Sequence, residues 1–453
     1  MNKSSLLIVI ALAATLVIVA VGVPDAAIAS LVTVLSGGAA LLVFRHFSDD
    51  KQFITKVFLA GLAVRIVFGF IVHFFDLREF FGGDANTYDN VGNRLMEIWS
   101  GRSAVDDSLT RSAQATTGAG WGMHYLVGAL YFLVGRNILA AQSLCGVIGA
   151  ATAPMVYLCA RKIFHNVRVA KFSALSIALF PSFIIWSSQL LKDGLVIFLL
   201  VLAMTMVLQL QEKFNYAAVI VLVLSLFGIM SLRFYIFYMV IAAVVGSFLI
   251  GTATTFPSVV RRSIVLVIMG LGLTYFGVIR TATVDLDTYG NLEAVQRSRS
   301  DLATSAKSGF GAEADVSTTD GAISTLPIGF AYLMLAPFPW QMSSLRQSIT
   351  LPEVLLWWAL IPVMISGLIY AFKNKLRKAA PILIFSIMLT LSYSIFQGNV
   401  GTAYRQRTQI QVFLFMFIAV GWVLYKEKRE NQQLVMKRKR EMIDAALKGR
   451  VTS

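Results

Sequence analysis

The stretch GGDANTYDN (82–90) places two carboxylates, Asp84 and Asp89, around Tyr88, a few residues beyond a long apolar run. A carboxylate within hydrogen-bond reach of a hydroxyl can take its proton during group transfer. A second set of residues is cationic. Lys192 lies beside Asp193 in SSQLLKDGLVIF, Arg233 lies in SLRFY, and Arg405 and Arg407 lie in NVGTAYRQRTQ, each at the end of an apolar run. The guanidinium fork suits phosphate, and charge near membrane depth is costly and usually functional. Plainer readings exist. Asp84 is a possible helix N-cap, Lys192 and Asp193 a self-satisfied pair in a turn, and each arginine a headgroup anchor. Capping leaves the double glycine and the aromatic residue one turn later unexplained. Four cations on one side favour an anionic ligand. A helix starting after Gly83 puts Tyr88 on the face of Asp84, and Leu95, Ile98 and Trp99 make that helix amphipathic, suited to lie along a membrane surface. Arg405 and Arg407 share a face if their segment is extended.

The elements that must position these groups are membrane helices. Of 453 residues, 57% are hydrophobic and only 14% charged, against roughly a quarter charged in soluble domains. The net charge of +15 sits in short loops and the tail, where it fixes topology rather than binding nucleic acid. Cys145 and Cys159 share one apolar stretch and form no disulfide framework. The four histidines are scattered and no metal-ligand spacing occurs.

Apolar runs near 5–23, 27–45, 53–75, 137–160, 170–188, 193–211, 216–232, 234–251, 262–280, 352–372, 379–397 and 408–425 predict an all-α, multi-pass protein of about twelve spans, each near the roughly 20 residues that cross the hydrocarbon core. Segments 121–136 and 326–340 are shorter, as interfacial or re-entrant pieces are. The N-terminus resembles a signal peptide, with AIAS (27–30) as a cleavage-like site, but its apolar run is long enough to be a retained helix. The basic segments RKIFHNVRVAK (161–171), KNKLRK (373–378) and KEKRENQQLVMKRKR (426–440), with the less basic SVVRR (258–262), all fall inside if both termini are cytoplasmic. Long polar loops 76–120 and 281–325 then lie outside, and Lys192, Arg233, Arg405 and Arg407 are outward cations against the usual pattern. Loop 281–325, rich in Ser, Thr, Ala, Gly and Asp, reads as mobile when empty. APFPW (336–340) and LPEVLLWW (351–358) read as an interfacial aromatic belt around a broken helix. The tail 426–450 suits anionic lipid at the cytoplasmic surface. Five sections follow: 1–52, two N-terminal helices; 53–280, a transmembrane module carrying the acidic loop; 281–351, an outer loop with a re-entrant or interfacial piece; 352–425, C-terminal spans; and 426–453, the basic tail.

DANTYDNVGNRLMEIWSG resembles the D-x-x-x-Y-x-x-x-x-x-x-L…G pattern of GT-C glycosyltransferases, nearest to the protein mannosyltransferase and aminoarabinose transferase branch. GWGMHYLVGALYFLVGRNILAAQSLCGVIGAATAPMVYLCARKIF is similar to the juxtamembrane helix and basic R-x-x-F turn of that family, and ALFPSFIIWSSQLLKDGLV to its next helix. The likeness covers roughly residues 53–212; beyond them GNVGTAYRQRTQI looks like the late arginine-bearing outer segment. Many relatives carry a second adjacent acid where this chain has Ala85, so a divalent metal is not indicated, though not excluded. The resemblance implies transfer of a sugar from a polyprenyl-phosphate donor to a glycan, lipid or protein acceptor, at the extracytoplasmic face of the inner or plasma membrane. It implies Asp84 as base for an inverting displacement, and Lys192, Arg233, Arg405 and Arg407 around the leaving phosphate. Asp89, Tyr88, Trp121, His124 and Asp193 would hold the sugar, and loop 281–325 would close over it.

Two other classes fit less of the sequence. An O-antigen ligase or polymerase also uses outer arginines and a large outer loop, and would leave Asp84 structural. A transporter or flippase should carry its substrate charges near the bilayer midplane and repeated halves; here the cations singled out above sit at helix ends on one side, and no repeat is evident.

Overall fold

The computed structural model describes residues 25–102, 108–116, 120–250, 256–275, 277–305, 308–342 and 344–451. The expected span 5–23 lies outside them. AIAS lies inside the first described helix. Helices α1 (Ala26–Phe47) and α2 (Lys51–Phe74) are followed by α3 (Arg78–Phe81), α4 (Asp84–Trp99), α5 (Ser108–Gln114) and α6 (Trp121–Val134). Next come α7 (Ile138–Phe164), the pair α8 (Val167–Leu179) and α9 (Pro181–Ser187), α10 (Asp193–Glu212), α11 (Tyr216–Leu232) and α12 (Phe234–Ile250). The rest of the chain forms α13 (Phe256–Tyr275), α14 (Val278–Tyr289), α15 (Leu292–Thr304), α16 (Thr319–Leu335), α17 (Leu345–Ile349), α18 (Leu351–Asn374), α19 (Leu376–Phe396) and α20 (Val400–Val451). No strand occurs among the described residues.

Local sequence sets many of these boundaries. Asp50 accepts from the Phe53 amide at 3.0 Å, Asn137 from Ala140 at 2.8 Å, and Asn215 from Ala217 at 2.9 Å, satisfying amides that a helix start leaves open. Pro181 has no amide hydrogen to continue α8, and the chain bends by 54° between α8 and α9. The carbonyls stranded there are met by Arg65, whose guanidinium donates to Ile177, Ala178 and Phe183, and whose Nε donates to Ser187 at 2.8 Å. In an apolar surrounding such groups must find a partner inside the protein.

Among the described residues seven helices are long and apolar enough to cross a membrane, or up to nine if each bent pair is one span. The expected twelve are not reached there. The run 170–188 is broken at Pro181, and 262–280 divides between α13 and α14. The 17-residue α11 stops at Arg233, at a rise of 1.5 Å per residue about 25 Å long, short of the roughly 30 Å hydrocarbon core. The described residues of loop 281–325 are largely helical and contain most of α14, all of α15 and the start of α16.

Helices α7, α10 and α20 form the centre. α7 packs on α1, α2, α8 and α10, and α20 on α18 and α8. The peripheral helices α1 and α18 turn apolar side chains outward, among them Leu35, Leu42, Ile365 and Phe372, an apolar belt of the kind lipid covers. At one end of the bundle the basic segments meet: Arg168 pairs with Glu430, Lys171 with Asp50, and Lys378 with Glu212. Asp84 of the acidic loop meets Arg405, which with Arg233 converges on Asp193, at the other end.

Candidate functional site

Asp193 opens α10 and is fully buried. Its Oδ1 accepts from Arg233 Nη2 at 2.8 Å and its Oδ2 from Arg405 Nε at 2.7 Å, with Arg405 Nη2 at 2.5 Å. Its place in the first turn adds the favourable helix dipole. Gly194 lets the start of α10 pack closely on α9: a β-carbon there would lie 2.7 Å from that of Ser187, the residue Arg65 holds. Arg233 terminates α11, and its Nη1 donates to the Tyr235 hydroxyl at 2.7 Å. Arg405 lies in the second turn of α20, its guanidinium 5.6 Å from the Trp186 ring, a cation–π distance.

Arg405 reaches a second carboxylate, donating from Nη1 to Asp84 Oδ2 at 2.9 Å. Asp84 is the first residue of α4 and does not cap it. Its carboxylate is about half exposed (48%) while that of Asp193 is wholly buried. Lys192 and Tyr88 converge on Gly120, where a β-carbon would stand 3.0 Å from Lys192 Nζ and 3.5 Å from the Tyr88 hydroxyl. The positive φ of Gly120 (+90°) also suits glycine alone. Burial, then repulsion from Arg233, pushes the Lys192 ammonium down to about 8, against the pull of Asp193. Burial, and then Lys192, pushes His124 down to about 4, so the imidazole is neutral. Its ring lies 5.7 Å from that of Tyr88. Three cations, Lys192, Arg233 and Arg405, thus face two carboxylates, Asp84 and Asp193, leaving one positive charge for an anion.

The geometry therefore gathers Asp84, Tyr88, His124, Lys192, Asp193, Arg233 and Arg405. Asp193, expected to orient a sugar, is instead the anchor of two guanidiniums. Three other residues go elsewhere. Asp89 accepts from the Tyr131 hydroxyl at 2.6 Å and from Arg136 Nη2 at 2.5 Å. Five residues on from Asp84, it turns toward α6 and fastens α4 to it. Trp121 packs edge-on against Tyr125 and Phe227 and lines a separate cavity of about 630 Å³ with Arg280. Arg407 does not join Arg405. The segment is helical, not extended, so two residues turn it through about 200°. Its Nη1 donates to the carbonyls of Met334 at 3.0 Å and Ala336 at 2.9 Å, where α16 ends.

One residue escaped the sequence reading. Arg346, in α17, donates to the Phe81 carbonyl and with Arg405 lines a cleft of about 430 Å³. A lone arginine between APFPW and LPEV gives no periodic or motif signal. Among the described residues no three potential metal-ligating side chains converge. The chain matches no protein-family model, and no curated protein or solved structure matches it.

Proposed function

We propose that this protein is a membrane glycosyltransferase that moves a sugar from a polyprenyl-phosphate donor to an acceptor hydroxyl. One observation carries the reading: a single guanidinium, Arg405, links a half-exposed carboxylate, Asp84, to a buried cluster with surplus positive charge. The acceptor oxygen attacks the anomeric carbon as the bond from that carbon to the phosphate oxygen breaks. The hydroxyl proton passes to Asp84, and the lipid phosphate departs with its charge. One displacement inverts the anomeric centre. Lys192, Arg233 and Arg405 offset the charge developing on the leaving oxygen, and Asp193 holds the two arginines so that little reorganisation is needed. Tyr88 and neutral His124 offer polar and aromatic contacts to a sugar. Support for an extracytoplasmic site comes from the basic segments, which gather at the opposite end as cytoplasmic loops do.

A polysaccharide ligase or polymerase is a second reading, favoured by the ion pair that already occupies Asp84. There Asp84 would serve only to set Arg405. The test is transfer activity in membranes supplied with a panel of polyprenyl-phosphate sugars, native protein against Asp84→Asn at matched expression. Lost turnover with donor binding retained supports the base. Full turnover in Asp84→Asn removes it and advances the second reading.

A further inference from the structure

The cleft beside Arg405 is not used by the steps above. Most of its wall comes from three distant parts of the chain, the end of α3 at Phe80 to Gly82, α17 with its flanks, and the start of α20 as far as Arg405, and Ile185, Trp186, Ser308 and Pro337 complete it. Two guanidiniums, Arg346 and Arg405, line it, with Ser308 and Asn399 as neutral polar groups. Ile185, Trp186, Ile349 and Val400 supply apolar wall. Arg346 is near enough to Arg405 to be repelled by it: burial, then that repulsion, lowers its guanidinium from the ordinary value. An anion between them would relieve the repulsion. The flank of the cleft is apolar and outward-facing, since Leu345 (71% exposed), Ile349 (57%) and Trp340 (72%) all present their side chains to the surroundings, as residues at a membrane interface do.

We propose that this cleft is the entry and holding site for the phosphate of a membrane lipid, a diester while it carries the sugar and a monoester once the sugar has left, gripped between Arg346 and Arg405, with the first apolar units of the lipid chain along Phe81, Ile185 and Ile349. The proposal rests on the transferase reading and names where its donor sits. It assigns Arg346 a role in selecting lipid-borne over water-soluble donors. A soluble nucleotide sugar brings only a compact, polar base to the apolar wall, whereas a lipid chain buries that wall along its length. Arg346 exchanges its bond to the Phe81 carbonyl for one to the phosphate, a charge-assisted contact and the stronger of the two.

The test is equilibrium binding to the full chain in lipid nanodiscs, with polyprenyl monophosphate, the carrier that transfer releases, and inorganic phosphate as separate probes. Arg346→Gln, checked for unaltered thermal unfolding, should weaken polyprenyl monophosphate about tenfold or more, and Arg346→Lys should recover part of the loss. Inorganic phosphate should bind far more weakly than the lipid. Unchanged lipid affinity in Arg346→Gln overturns the assignment of Arg346. Inorganic phosphate binding as tightly as the lipid overturns the lipid wall. The two readings fail separately: an Arg346-sensitive site with an active Asp84→Asn enzyme sinks the base but keeps the cleft. An Asp84-dependent transfer with an Arg346-insensitive site does the reverse.

Discussion

Arg405 and Arg407 stand two residues apart on one helix, both surrounded by apolar structure, and they do opposite things. Arg407 ends on the carbonyls of Met334 and Ala336. Arg65 and Arg299 behave like it, the latter donating to the carbonyls of Ile395 and Gln397 at the end of α19. Each guanidinium takes the place of the backbone amides missing where a helix stops, and sits at the negative end of the helix dipole. Arg405 and Arg233 instead converge on one carboxylate, and Arg405 goes on to a second that is half open to the surroundings. A cap consumes its charge on fixed dipoles. The Asp193 cluster keeps a charge in surplus. Burial of an arginine is thus no mark of a ligand site; the nature of its acceptors is.

The contrast can be broken most severely at its anchor. Asp193→Asn leaves Arg233 and Arg405 buried without their counter-ion and should cost about 3–5 kcal/mol of stability, abolishing transfer as well. A thermal melt of purified protein together with a turnover assay reads both, and a native melt would deny Asp193 its anchoring role. Next in size, Asp84→Asn should slow transfer by about 10²–10⁴-fold while moving stability by under about 1 kcal/mol, because the Asp84 carboxylate is half exposed and Arg405 keeps Asp193 as its buried counter-ion. Equal losses in both readouts would make Asp84 a structural residue. Arg407→Met should show the reverse pattern: two carbonyls lose their donor, stability falls by about 1–3 kcal/mol, and the rate per folded molecule changes less than about threefold. A selective loss of turnover would return Arg407 to the site.

The smallest effect concerns pH. The folded Lys192 titrates near 8 and the unfolded side chain near its ordinary 10.5. Between these values the unfolded chain holds more protons, so stability from this group rises with pH. Anion affinity falls over the same window as the ammonium is lost, by up to about tenfold per pH unit. Affinity measured from pH 7 to 10 should therefore decline while the melting temperature contribution climbs, and Lys192→Met should flatten both. A pH-independent affinity would show that Lys192 does not face the anion.

Asp84, Lys192, Arg233 and Arg405 were legible because charge at the end of an apolar run is costly, and because such charges recurred on one side. The helix after Gly83 was legible from its amphipathic spacing. What was hidden depended on where chain segments turn. Arg405 and Arg407 share a face only in an extended segment, and the helical one separates them. Asp193 read as a ligand contact because the sequence does not reveal that two distant arginines aim at it. Arg346 was invisible for the same reason, its neighbour Arg405 lying 59 residues on. The break at Pro181 had a signal, an X-Pro step inside an apolar run, that a search by run length passes over.

Helix α20 begins beside Asp193 and continues without a break to Val451. Between Arg405 and Glu430 it is a strut about 38 Å long, stiff along its axis because each turn is tied to the next. An unbroken helix thus joins Glu430, which Arg168 holds, to Arg405. The sharp bend between α8 and α9 lies on another element and offers no slack to this one. Mechanically, the two faces of the molecule are joined in series, so whatever seats the basic end also sets the height of the arginine that links both carboxylates.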